Sequence, residues 1–181
     1  MPLSPAAPRT LMHTREITCH GYCRTDGLWD IEARMTDAKG YAAQNDHRGV
    51  SAGTPFHDMA LRLTIDDTML IHAVDACIDA APHRMCPAVA PDFQRLVGLR
   101  IEAGFSSELR RRLGGVHGCT HLTELCGPLA TTAIQTVRPL RREQHGGDGA
   151  ARPAQIDTCH ALAASGEVVA KYWPRFHQRT G

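Results

Sequence analysis

From Arg15 the chain alternates. Ile17, Cys19, Gly21 and Cys23 fall on one side of an extended backbone, and Glu16, Thr18, His20, Tyr22 and Arg24 fall on the other. A period of two marks a half-buried strand. Asp26-Gly27 supplies a hairpin turn, and the return strand sets Trp29, Ile31, Ala33 and Met35 against Asp30, Glu32 and Arg34. Residues 37 to 55, rich in Gly, Asn and Asp, read as a loop. A third strand alternates Met59, Leu61, Leu63 and Ile65 with Arg62, Thr64 and Asp66; Asp66-Asp67 turns the chain into a fourth, from Met69 to Ile78. Successive antiparallel hairpins make a meander with one face free to be covered.

The period changes after Pro82. Phe93, Leu96 and Val97 have helical spacing, and Ser106-Ser107-Glu108 opens a short helix that Gly114-Gly115 ends. From Cys119 to Val137 apolar residues recur at three- and four-residue steps through Leu122, Leu125, Leu129 and Ala133. Gly127-Pro128 is expected to interrupt this stretch, because Pro128 lacks an amide proton and crowds the carbonyl of Glu124. The order, strands then helices, is that of an α+β fold, with an antiparallel β-meander of two N-terminal hairpins packed against C-terminal helices. The organisation expected is a flexible arm over 1–13, an α+β domain over 14–137, a flexible segment over 138–155 and a C-terminal segment over 156–181 that packs back on the domain.

Composition narrows the function classes. The chain has 181 residues and a formal net charge of +1, which excludes the basic excess of a dedicated nucleic-acid binder. No apolar run reaches the roughly 20 residues of a membrane-spanning helix, and the start lacks the pattern of a signal peptide. A cytoplasmic protein is expected. Seven cysteines and eleven histidines are the unusual feature. An odd cysteine count does not suit a complete disulfide framework, which leaves buried thiols, metal ligands or a reactive thiolate.

Geometry sorts these groups. Cys19 and Cys23 lie four residues apart on a strand, about 13 Å between Cα atoms, too far for one ion. Cys77 and Cys126 are assigned to packing. His57-Asp58 stands at the entry to the third strand, Cys86 where strands give way to helices, and Cys119 at a helix start, where unpaired amides favour a thiolate. His121 and Glu124, three residues apart, share a helix face and could add a ligand and an acid/base.

These residues carry two resemblances. Gly53-Thr54-Pro55-Phe56-His57-Asp58, Cys86 and Cys119 are similar, over about residues 53–137, to the three-ligand arrangement of U-type iron–sulfur cluster assembly scaffolds, with His57 where the family has Cys. More closely, the chain resembles a bacterial domain-of-unknown-function family. The residues that carry this are Gly21-Tyr22-x-Arg24-x-Asp26-Gly27-Leu28-Trp29-Asp30-Ile31-Glu32, His57-Asp58-Met59, Gly115-Val116-x-Gly118-Cys119-Thr120-His121-Leu122 and Asp157-x-Cys159-His160-Ala161-Leu162. The first resemblance implies a scaffold-like fold; the second implies an association with aromatic-compound catabolism and draws Cys159 into the candidate set.

The expectation is a metalloprotein holding one zinc or iron ion through His57, Cys86 and Cys119, with Asp58, His121 or Cys159 in reserve and Asp58, Glu124 and His121 in catalytic roles. Three ligands and an open position suit a hydrolase or lyase acting on a small substrate, aromatic compounds being one class. The alternative is a metal or iron–sulfur carrier, an accessory subunit of a partner enzyme.

Overall fold

A computed structural model describes residues 3–145 and 152–179. The chain forms two compact units, Met1–Arg141 and Arg142–Gly181.

The first unit is an α+β domain. Strands β1 (His13–Cys23), β2 (Trp29–Lys39), β5 (Pro55–Ile65) and β6 (Ile71–Ala80) pair antiparallel in the order β1-β2-β5-β6. Asp26-Gly27 turns the first hairpin, with Gly27 at φ 84°. The 37–55 region, expected to be a loop, is partly strand. β2 runs on to Lys39, and the short pair β3 (Ala43–Gln44) and β4 (Gly49–Val50) forms a separate hairpin. The fourth strand begins at Ile71, because Met69 turns at φ 66° and Asp66 caps the turn by accepting from the amides of Thr68 and Leu70.

Alternation sorts the sheet as expected. Ile31, Met35, Leu63 and Ile65 on β2 and β5 have no exposed surface. The helices cover this face. A 3-10 helix over Cys86–Leu96 buries Phe93 and Leu96, and α1 (Phe105–Leu113) buries Phe105, Leu109 and Leu113. α2 (Thr120–His145) lays Leu122, Leu125, Cys126, Leu129, Ala133 and Val137 into the same core.

α2 departs from the expected break, running unbroken through Pro128 and Pro139. An interior proline costs a helix about 3 kcal/mol. Each buried leucine contributes roughly 1.5–3 kcal/mol, and breaking the helix would lift the Leu122–Val137 stripe from the sheet. Burial wins. Residues 138–145, expected in a flexible segment, are therefore helical; residues 146–151 of that segment lie outside the described residues. Cys77, assigned to packing, is instead exposed, because it lies on the sheet face that the helices leave open. No described helix is long and apolar enough to cross a membrane.

In the second unit, Ile156, Ala164 and Val169 form a small core against Trp173 and Phe176, around α3 (Glu167–Tyr172). Asp157 organises the chain there, accepting from the Ala164 amide at 2.7 Å and pairing with Arg152.

Helix α2 passes close over β1 at Gly21, where any Cβ would collide with the Thr136 side chain. Gly21→Ala is expected to destabilise the domain by about 1–3 kcal/mol, the usual cost of overpacking. Urea unfolding measures it, and an unchanged midpoint would show that the helix does not rest there.

Candidate metal centre

The core-face rhythm of β2 does not stop at Met35. Two residues on, Asp37 takes the next position on the same face and is only 1% exposed. The strand partners make a cross-strand row: Arg15 on β1 pairs with Asp37, and Asp37 pairs with His57 on β5. Both neighbours share the helix-covered face by the same alternation. His13, two residues before Arg15, joins the row diagonally. The first turn of α2 lowers His121 and Glu124 over it.

A buried carboxylate must have its lone pairs satisfied. Oδ1 of Asp37 accepts from Arg15 Nε at 2.8 Å and meets His13 Nε2 at 2.9 Å. Oδ2 accepts from Arg15 Nη2 at 2.8 Å. A carboxylate offers about four lone-pair sites, so one on Oδ2 remains. It faces two imidazoles, with His57 Nδ1 at 3.2 Å and His121 Nε2 at 3.8 Å. The two rings stack, centroids 3.9 Å apart and planes 32° apart. On the outer side Arg15 Nη1 donates to Glu124 Oε2 at 2.5 Å.

Asp37, His57 and His121 could hold a metal ion: one ligand atom from each lies within 4.8 Å of the others. Bonds of about 2.0–2.1 Å place tetrahedral ligand atoms about 3.3 Å apart, so the Asp37–His57 separation already fits, and the Asp37–His121 separation needs a shift of about half an ångström. The charge states suit ligation as well. Burial lowers the His57 pKa, the neighbouring His121 lowers it further, and together they outweigh Asp37, which raises it. A neutral imidazole is what a metal requires.

Of the residues the sequence offered as metal ligands, His57 and the reserve candidate His121 belong to this group. Among the described residues the cysteines do not. Cys86, at the start of the 3-10 helix, is half-buried against the core. Cys119 precedes α2 with its Sγ 3.9 Å from the sulfur of Met59. Cys159 lies in the C-terminal unit, exposed, just before the 3-10 helix His160–Leu162. Glu124 stands at the rim through Arg15. Asp58, one residue from His57, faces the opposite side of the sheet, where Arg34 grips it through Nε and Nη2 at 2.8 and 2.7 Å. Burial pushes the Cys126 thiol up to about 12, which leaves it an inert core residue.

Asp37, Arg15 and His13 escaped the sequence reading. The missing signal was available: the alternation 29, 31, 33, 35 predicts a buried side chain at 37, and an acid there needs partners. A loop boundary drawn at 37 hid it.

Burial alone would raise the Asp37 pKa, but hydrogen bonds from Arg15 and His13 and the Arg15 charge hold it down to about 2. With a folded-state value below the unfolded one of about 3.9, the stabilisation is complete above about pH 4 and is lost as the pH falls toward 2. In metal-free protein the native chain should lose roughly 2 kcal/mol over that window beyond what Asp37→Asn loses. Urea unfolding at successive pH values checks this, and parallel curves for the two proteins would contradict it.

Residues 13–135 match the family described as a protein of unknown function (DUF2889). No curated protein and no solved structure matches the chain, and no likeness to iron–sulfur scaffolds is shown. The matched span takes in the whole four-stranded sheet, the covering helices as far as residue 135 and every residue of the Asp37 cluster; the chain belongs to this family of unknown function.

Proposed function

We propose that the domain binds one divalent transition-metal ion, zinc or iron, through Asp37 Oδ2, His57 Nδ1 and His121 Nε2, and acts as a metal-dependent hydrolase or lyase on a small substrate. The single observation that supports this is the remaining lone-pair site of a fully buried carboxylate aimed at two imidazole nitrogens at near-ligand separation. Two histidines and one carboxylate on one side of an ion form the facial set that suits zinc or non-haem iron and leaves positions open.

Bound there, the ion would supply a Lewis acid that polarises a carbonyl or lowers the pKa of a water. The chain's own residues do the rest. Arg15 and His13 hold Asp37 ionised and fix its orientation, the role that outer partners play around metal-bound carboxylates. Glu124, 47% exposed and tethered to Arg15, is the rim group placed to take a proton from a water or substrate. His57, at 15% side-chain exposure, and His121, at 28%, lie deeper than Glu124 and keep part of the centre open to solvent.

Metal analysis of protein purified anaerobically should find about one zinc or iron per chain. Asp37→Ala, His57→Ala and His121→Ala should each reduce this to less than about a tenth, whereas Cys86→Ser and Cys119→Ser should retain it. Metal-free native protein would overturn the proposal. Iron accompanied by inorganic sulfide, and lost on Cys86→Ser, would assign a cluster carrier instead. Restoring the ion at about 100 times its dissociation constant should stabilise the native chain by about 2.7 kcal/mol, measured by urea unfolding, and leave Asp37→Ala unmoved.

A further inference from the structure

We propose that the centre takes a small organic carboxylate, with Lys39 as the group that holds the carboxylate end; this rests on the metal assignment above. Lys39 follows Asp37 by two residues on β2 and pairs across the strand with His13, so it extends the same face toward solvent. Its ammonium lies 4.9 Å from the ring centre of Phe56 and 5.3 Å from that of Tyr41, with the Tyr41 hydroxyl at 3.4 Å. Among the described residues no carboxylate comes within ion-pair distance of it. The arginines of the opposite sheet face, Arg24, Arg34 and Arg62, each meet at least two. Lys39 is therefore a half-buried cation with three donors, held in place by two π faces and one phenol oxygen.

Phe56 links this cation to the centre. It is the unpaired residue of a bulge, between Pro55, opposite Ala38, and His57, opposite Asp37. Its ring meets the His57 ring edge-on, centroids 5.6 Å apart at 75°. The result is an apolar floor with an ammonium at one end and the candidate ion site at the other. A small ligand would lie along Phe56, its carboxylate on Lys39 and its reacting group at the ion. Charge agrees: Arg15 and Lys39 balance Asp37 and Glu124, so a bound divalent ion would leave its own positive charge in excess, which an anion offsets. A carboxylate suits better than a phosphate. Phosphate sites favour a free guanidinium fork or a nest of amides, and the Arg15 fork is committed to Asp37.

The test uses the full chain loaded with cobalt(II), whose visible absorption reports the coordination sphere. Glutarate should perturb the spectrum, the neutral diamide glutaramide should not, and inorganic phosphate should bind more weakly than glutarate. Lys39→Met should weaken glutarate by about tenfold, with cobalt affinity held to within about twofold, and Lys39→Arg should restore it. A cobalt spectrum that saturates but ignores glutarate, equal glutarate binding by Lys39→Met, or tighter phosphate binding would each overturn the carboxylate site alone. No cobalt spectrum in the native chain would refute the metal assignment itself.

Discussion

A carboxylate on the core face of a central strand is the constraint around which the rest is arranged. Asp37 is as buried as the methionine and isoleucine that precede it on β2, and an isolated charge there would cost several kcal/mol. The Arg15 guanidinium meets both of its oxygens in a side-on fork, and the fork requires β1 to pair with β2 in one register. Removing one partner of such a pair strands the other, so each strand holds its neighbour in place. His57 and His121 then arrive from β5 and α2, elements that the apolar core has already fixed. The site is thus an extension of the packing rather than an addition to it.

The two faces of the sheet manage charge differently. On the open face, arginines and acids form cross-strand ladders: Arg34 with Asp58 and Asp79, Arg62 with Glu32 and Asp75. Water screens these pairs, and each contributes little. On the covered face one acid gathers an arginine and three histidines where screening is weak. His57 and Asp58 are adjacent in sequence and belong to different worlds, one facing Asp37 and the other a surface arginine.

Much of the fold could be read from alternation and helical spacing. Strands β1, β2, β5 and β6, the hairpin at Asp26-Gly27 and the apolar stripe of α2 follow from residue periodicity. Periodicity loses its force wherever local chemistry and tertiary packing compete. Pro128 reads as a stop, yet the stripe on both sides of it is buried and carries the helix through. The glycines and asparagines around 37–55 read as a loop from its first residue, which cut off the last two turns of the pleat and Asp37 with them. The cysteines drew attention because thiols are rarer than acids. Cys126 sits in the core and Cys119 lies against a methionine, while the carboxylate that gathers the histidines has no motif to announce it. His57 and His121 were legible as chemistry-bearing residues at element boundaries; their proximity was not, because it depends on how α2 lies across the sheet.

The shared parity of core and site has an evolutionary consequence. Because Trp29, Ile31, Ala33, Met35 and Asp37 occupy successive positions of one pleat, deleting or inserting a single residue within β2 would turn the core residues and the acid to opposite faces together. Length changes that survive selection should therefore collect beyond the bulge at Phe56 and Ala38, in the 40–54 hairpin region, where the ladder has already slipped by one residue. There the chain can lengthen or shorten while the row of Arg15, Asp37 and His57 keeps its order. A lineage is free to remodel what approaches the cluster, whereas a length change inside β2 would disrupt cluster and core together.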